Sequence, residues 1–183
     1  MKNAAKSLLE KFEKRIVNSN NWFYIPKSKN NMFYIAPHIY KGRTIKLPCN
    51  TIIKKGDLVG EIHLDNLKTD KLGNANISKI LRIVNDEFDS LHYAIKEDER
   101  FSSIKAYYGK TLFHGILKRQ GFTILDVKKT VKSTLISLWM NILRIVFSPK
   151  EKTINSSFRH IKAYWITKEK LLQRKCKERQ IKK

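Results

Sequence analysis

Hydrophobic residues recur along the chain with two different periods, one typical of strands and one typical of helices. Alternating or aromatic-rich runs predict strands, and apolar residues spaced three and four apart predict helices. The predicted helices cover 4–17, 76–96, 111–120, 130–147 and a last segment capped by Thr167; the predicted strands cover 22–47 (two aromatic runs and a third short run), 58–64, 103–108, 122–127 and 161–166. This interleaving predicts one α+β domain, a mixed α/β sheet flanked by helices.

The chain has three predicted regions of unequal size. An N-terminal amphipathic helix with an Asn-rich break occupies 1–21, the mixed α/β core occupies 22–167, and a basic helix and tail occupy 168–183. No repeat and no long linker divides the core, so we expect its elements to share one sheet.

The strand Leu58–Leu64 carries the first candidate chemistry. Alternation places Glu61 and His63 on the same face of this strand, within reach of each other. A carboxylate beside an imidazole can serve as a general base. The alternative is an ordinary polar strand face in which Glu61 pairs with a lysine.

Two strand-to-helix junctions follow. After Leu64, a loop with Gly73, Asn74 and Ala75 leads into a helix that begins near Asn76, and free backbone N–H groups there could bind a phosphate. At the second junction Gly109 is expected to end a strand, and His114 lies one turn into the next helix. An ordinary connection and a packed histidine are the alternatives at these two places.

The predicted helix 130–147 is apolar on nearly all sides, so it is either central to the core or covered by lipid or a partner. Basic residues flank it, as they do in helices that lie in an anionic membrane interface. The candidate contacts with a membrane or polyanion, including two residues of the tail, are Lys128, Lys129, Lys132, Trp139, Arg144, Arg174 and Lys175.

The charge of the chain points to a polyanionic partner. There are 38 Lys and Arg against 16 Asp and Glu, a formal net charge of +22. An anionic membrane surface or an envelope polymer fits this charge. Nucleic acid fits it less well, because lysines far outnumber arginines and no helix-turn-helix, zinc-finger or RNP pattern is present.

Three further features bear on location and cofactors. Cys49 and Cys176 belong to no Cys/His cluster, so neither a disulfide framework nor a metal site is expected. The N-terminus lacks the uninterrupted apolar stretch of a signal peptide, and no run of about 18 apolar residues could span a membrane. We therefore expect a cytoplasmic protein, peripheral to the inner face of the membrane.

Several short motifs resemble the YkoP-like proteins of spore-forming bacteria over about residues 32–173. They are Lys41-Gly42-Arg43-Thr44-Ile45-Lys46-Leu47, Lys55-Gly56-Asp57, Glu61-Ile62-His63-Leu64-Asp65-Asn66, Tyr108-Gly109-Lys110-Thr111-Leu112-Phe113-His114, Gly121-Phe122 and Trp165-Ile166-Thr167-Lys168. That family also occurs fused to polysaccharide deacetylases, which implies a cell-envelope setting. The resemblance supplies no established catalytic residues.

The order of predicted elements also resembles the GNAT acyltransferase fold, in which a central strand leads to a pyrophosphate loop and a long helix. This resemblance implies an acyl-CoA cofactor held by the amides of Gly73, Asn74, Ala75 and Asn76. It also implies that Glu61, with His63 or His114, deprotonates the acceptor.

Three functions remain open from the sequence. The chain is an acyltransferase for an envelope glycan or a lipid-linked precursor, a non-catalytic adaptor of a membrane-bound glycosyltransferase or deacetylase, or a basic nucleic-acid-binding protein.

Overall fold

The structure is a computed structural model, and it describes residues 11, 15, 17, 19, 22–48, 50–65, 68, 77–112, 114–147 and 160–174. Residues 11, 15, 17 and 19 are helical, and the rest of the predicted helix 4–17 lies outside the described residues. Both cysteines lie outside them as well.

Eight strands and five helices follow one another from residue 22 onward in the described part of the chain. The strands are β1 Phe23–Tyr24, β2 Phe33–Ile39, β3 Ile45–Lys46, β4 Ile52–Ile53, β5 Leu58–Leu64, β6 Ala106–Thr111, β7 Thr123–Asp126 and β8 Lys162–Thr167. The helices are α1 Ile77–Glu97, α2 Glu99–Ser102, α3 His114–Arg119, α4 Val131–Phe147 and α5 Lys168–Leu172.

The main sheet has six strands in the order β1-β2-β5-β6-β8-β7, and β3 pairs with β4 in a separate two-stranded sheet. All neighbours in the main sheet are antiparallel except β5 and β6, which run parallel. A parallel pair requires a crossover, and residues 65–105, which contain α1 and α2, provide it. The predicted α+β class with one mixed sheet is therefore confirmed.

The main core lies between one face of this sheet and α1. Phe88 and Leu91 of α1 are buried there against Ile35, Ile62 and Tyr107 of the central strands. The apolar stripe of the predicted helix 76–96 included both α1 residues, because they lie one turn apart on the same face. Burial of this stripe holds the long helix across the sheet.

The opposite face of the sheet is covered at one end by the β3–β4 hairpin. Leu47 and Ile53 pack there against Val59, Ala106 and Trp165. The turn into β5 is fixed by Asp57, whose carboxylate accepts a hydrogen bond from the backbone N–H of Lys54 at 2.8 Å. The remainder of this sheet face carries polar and aromatic side chains from β2, β5 and β6.

The strand predicted at 103–108 is displaced in the structure, where β6 spans Ala106–Thr111. Residues 99–102 form α2, a short helix that the sequence did not predict, because the side chain of Asp98 caps it by accepting from the N–H of Arg100. Gly109 consequently lies inside β6 and not at its exit. The short helix that follows begins at His114, later than predicted, so His114 is its first residue.

The C-terminal elements agree with the sequence patterns. Gly121 has a positive φ of 85° just after α3, as expected for a residue that ends a helix. The side chain of Thr167 accepts from the N–H of Lys170 and so caps α5.

Candidate functional site

The hydrogen-bonded ladder between the parallel strands β5 and β6 is shorter than either strand. Pairing of β5 with β6 covers three residue pairs and ends at Glu61 and Tyr108. Beyond that point β5 continues to Leu64 and β6 continues to Thr111. Glu61 and Tyr108 form the last pair of this ladder.

On the helix side of the sheet, a tyrosine lies beside the end of this ladder. Tyr164 of β8 lies opposite Gly109, and a Cβ atom at Gly109 would be only 2.3 Å from the Tyr164 hydroxyl. That hydroxyl donates a long hydrogen bond of 3.4 Å to the carbonyl of Ile62. The absence of a side chain at Gly109 thus allows the Tyr164 ring to reach β5.

On the other side of the sheet, Glu61 lies at the centre of a group of polar side chains. The Tyr108 hydroxyl lies 3.1 Å from Glu61 Oε2 and also 3.1 Å from Nε2 of His38. Lys110 Nζ is 3.6 Å from Glu61 Oε1, and His63 Nε2 is 3.7 Å from Glu61 Oε2. We call these five residues the Glu61 cluster.

The imidazole of His63 is held against an indole ring. His63 stacks on Trp22 with ring centroids 3.9 Å apart and an angle of 11° between the planes. Burial lowers the pKa of His63, the charges of Lys110 and His38 act in the same direction, and the Glu61 carboxylate opposes them. Among the described residues its Nε2 atom has no hydrogen-bond partner. A neutral imidazole with a free nitrogen is able to accept a proton.

The ring of Tyr108 is fixed by aromatic contacts that involve Trp165 of β8. It stacks on Trp165 of β8 with centroids 4.5 Å apart, and Tyr40 packs edge-on against the same indole. Burial, followed by the nearby Glu61 carboxylate, raises the pKa of Tyr108 well above its usual range. Its hydroxyl therefore keeps its hydrogen and acts as a donor at neutral pH.

A shallow, open concavity of about 560 Å³ adjoins the Glu61 cluster. It is lined by His38, Ile39, Tyr40, Lys41, Gly42 and Tyr108. Sequence reasoning missed His38, Tyr108 and Lys110 as members of the site. Alternation within β2 gives the face that His38 occupies, but only the pairing of β2 with β5 shows that this face meets Glu61.

Comparison with known protein families gives one clear result. A sequence profile of the YkoP domain matches residues 2–175. The chain belongs to the YkoP domain family. Searches of curated proteins and of solved structures gave no match.

A second group of interacting side chains fixes the end of β5. The Tyr24 hydroxyl donates to Asp65 Oδ2 at 2.7 Å, and the Tyr34 hydroxyl lies 2.7 Å from that of Tyr24. Lys68 reaches the same carboxylate at 3.4 Å and lies over the Tyr24 ring. These contacts anchor the start of the loop that leads to α1. The predicted phosphate-binding residues of that loop, Gly73, Asn74, Ala75 and Asn76, lie outside the described residues.

The third predicted catalytic residue, His114, is not part of the Glu61 cluster. Its Nδ1 atom is buried without a hydrogen-bond partner in the part of the chain that the structure describes. The five members of the cluster come instead from β2, β5 and β6. The structure therefore brings Glu61 and His63 together and leaves His114 at the start of α3.

The predicted basic contact residues differ in their surroundings. Lys128 and Lys129 are exposed just before α4. The guanidinium of Arg174 faces inward, since it donates to Asn85 Oδ1 at 3.0 Å and to the carbonyl of Gln120 at 3.4 Å. The side chains of Lys132, Trp139 and Arg144, and all of Lys175, lie outside the described part of the chain.

Two further tests concern metals and membranes. Within the described ranges, no group of three His, Cys, Asp or Glu side chains is placed to hold a metal ion. Within the same ranges, no helix of the YkoP domain has the length and apolar character needed to cross a membrane.

Proposed function

We propose that the YkoP domain transfers an acyl group from acyl-CoA to an envelope glycan or a lipid-linked precursor at the inner face of the membrane. The observation that carries this proposal is the position of Glu61 and His63. Both side chains lie on β5 at or just past the last pair of its ladder with β6, at the end of the strand from which the chain leads to α1. A carboxylate and a neutral imidazole 3.7 Å apart can supply the base that acyl transfer needs.

The order of elements supports the same proposal. β5 leads through a loop to the long helix α1, and β6, α3, the Gly121-Phe122 pair and β7 follow. This is the order that the resemblance to GNAT acyltransferases implies. In this proposal the backbone amides of residues 73–76 bind the pyrophosphate of acyl-CoA.

The reaction requires a proton to leave the acceptor as its oxygen attacks. Glu61, with neutral His63 beside it, takes the proton of the acceptor hydroxyl. The new carbon–oxygen bond forms at the thioester carbon, the carbon–sulfur bond breaks, and the coenzyme leaves as a thiol after taking up one proton. Lys110 lies 3.6 Å from the Glu61 carboxylate and pairs its positive charge with it.

The test uses acetyl-CoA with the full chain. We expect acetyl-CoA to raise the temperature of thermal unfolding of the wild type and of Glu61→Gln alike, because binding to the native state stabilises it. We expect Glu61→Gln to lower the rate of thiol release with an envelope glycan acceptor by about 10²-fold or more. Glu99→Gln, at an exposed carboxylate of α2, is the matched control and should leave both values unchanged. If acetyl-CoA protects none of these proteins from unfolding, the proposal is wrong.

A second function, that of a membrane-associated adaptor for a glycosyltransferase or deacetylase, is favoured by α4. Its outward side chains include Val131, Leu135 and Leu138, which are 80%, 60% and 48% exposed. Its buried positions include the polar residues Ser137 and Asn141. A helix that turns apolar side chains outward has a surface to offer to lipid or a partner.

A further inference from the structure

We propose that Glu61, Tyr108 and His38 form a proton relay that carries protons from Glu61 to the concavity beside His38. The relay rests on the proposed function only for its use, which is to restore the Glu61 carboxylate after each transfer. Its existence depends on the positions of hydrogen atoms in a chain of three side chains. Those positions follow from counting donors and acceptors.

The backbone fixes the tautomer of His38. Nδ1 of His38 lies 3.1 Å from the carbonyl oxygen of Ala36. A carbonyl oxygen only accepts hydrogen bonds, so Nδ1 must carry the hydrogen. In the neutral ring Nε2 is then bare, and this atom faces the Tyr108 hydroxyl at 3.1 Å.

The hydroxyl of Tyr108 has one hydrogen and two acceptors. Glu61 Oε2 and His38 Nε2 are both 3.1 Å away from it. When Glu61 is protonated and His38 is neutral, the acid donates to Tyr108 and Tyr108 donates to His38 Nε2. When His38 is an imidazolium ion, Nε2 donates to Tyr108, and the tyrosine hydrogen is available to Glu61. One proton therefore decides the direction of both hydrogen bonds.

The relay step is balanced in atoms and charge. Protonated Glu61 gives its proton to Tyr108 Oη while the original proton of Tyr108 moves to Nε2 of His38. One O–H bond breaks at Glu61, one O–H bond is exchanged at Tyr108, and one N–H bond forms at His38. A neutral acid and a neutral imidazole become a carboxylate and an imidazolium ion, with no electron transferred. Water in the concavity that His38 lines then takes the proton from Nε2, so that this N–H bond breaks and Nδ1 keeps its hydrogen.

Rigid neighbours keep the three groups in line. The stack on Trp165 holds the Tyr108 ring, and the bond to the Ala36 carbonyl holds the His38 ring. Because the phenol resists ionisation, it passes protons on and does not store charge. The titratable and charged groups that surround His38 are Glu61 and His63 from β5, Tyr108 and Lys110 from β6, and Tyr40 and Lys41 after β2.

The relay can be tested by nuclear magnetic resonance without any substrate. In wild-type protein labelled with ¹⁵N and ¹³C, the nitrogen shifts of His38 should show the tautomer with hydrogen on Nδ1 at high pH. On acidification, the Glu61 carboxyl carbon should respond at the same midpoint as His38 Nε2. Tyr108→Phe keeps the aromatic ring and removes the hydroxyl, and it should reduce this response of Glu61 by more than half.

Two results would overturn the relay. One is hydrogen on Nε2 of neutral His38 in the wild type, and the other is an unchanged response of Glu61 in Tyr108→Phe. The signals of His92, whose Nδ1 lies 2.9 Å from the carbonyl of Leu171, provide the control for intact folding. The wild-type tautomer decides the question even if Tyr108→Phe folds poorly. Lack of protection by acetyl-CoA would refute the acyltransferase proposal and leave this relay intact, so the two failures are distinguishable.

Discussion

Gly109 shows how one missing side chain shapes the region around the site. It lies in the middle of β6, where a Cβ atom would be 2.3 Å from the Tyr164 hydroxyl and 2.8 Å from the carbonyl oxygen of Ile62. Both distances are shorter than van der Waals contact. Because one of the two atoms belongs to the backbone of β5, a side chain at this position would have to displace the strand that carries Glu61.

We therefore predict that Gly109→Ala lowers the free energy of unfolding by about 1–3 kcal/mol. Gly115→Ala is the matched control, since nothing lies within 4 Å of a Cβ at that helical position. The control should raise the free energy of unfolding by about 0.5–1 kcal/mol, because alanine loses less chain entropy on folding than glycine does. Denaturant unfolding measures both values, and equal stability of the two variants would contradict the close approach at Gly109.

At the scale of elements, a buried carboxylate joins α1 to the turn between β1 and β2. Glu87 is fully buried in α1, and its Oε1 accepts a short hydrogen bond from the Ser28 hydroxyl. The backbone N–H groups of Asn30, Met32 and Phe33 also favour its charged form, but burial is the largest effect and raises the pKa of Glu87 above 4.5. The long helix thus helps fix where β2, and with it His38, begins.

The sign of the resulting pH dependence follows from this raised pKa. Above pH 4.5 the unfolded chain releases the proton of Glu87 more readily than the native protein does. The stability linked to this proton is fully present below pH 4.5 and is lost as the pH rises through the higher pKa of the folded state. We predict that the free energy of unfolding of the wild type, relative to Glu87→Gln, falls over that interval.

Chemical denaturation of both proteins at a series of pH values checks this prediction. Glutamine keeps an acceptor oxygen for Ser28 but has no proton to titrate. The difference between the two proteins therefore isolates the contribution of the Glu87 proton to stability. Asp126→Asn is the control, because the Asp126 side chain is 88% exposed. A difference between wild type and Glu87→Gln that does not vary with pH would show that Glu87 is not perturbed by burial.

At the scale of the whole molecule, the net charge of +22 attracts any polyanion, so charge alone does not identify a partner. The outward apolar face of α4 is a second feature that helps to identify the partner. Lys128 and Lys129 are exposed at the start of this face. A surface that combines lysines with exposed leucine and valine suits an anionic lipid interface better than a phosphate backbone, which offers no apolar contact.

We predict that the protein floats with vesicles of phosphatidylcholine and phosphatidylglycerol but not with vesicles of phosphatidylcholine alone. Salt should weaken the binding, because surface charges are screened. Leu135→Asp should reduce it several-fold at low salt, since it removes apolar contact from the centre of the α4 face. Ile52→Asp makes the same change of charge at a 41% exposed position in β4 and is the control. Equal effects of the two substitutions would show that charge, and not α4, governs the binding.

The sequence by itself determined the class of fold, most of the elements and two members of the site. The spacing of Phe88 and Leu91 predicted the buried face of α1, and alternation along β5 placed Glu61 and His63 on one side. These predictions depend on the local periods of helix and strand, which apply whatever the rest of the chain does.

Only the tertiary structure decided which strands are neighbours, and with them the rest of the site. His38 and Glu61 are distant in sequence, and the antiparallel pairing of β2 with β5 places them on one face near each other. Gly109 was expected to end a strand, but the approach of Tyr164 from β8 gives it a place inside β6. Such contacts depend on how distant segments pack together. A local pattern cannot specify that packing, because the same alternation is compatible with many pairings of strands.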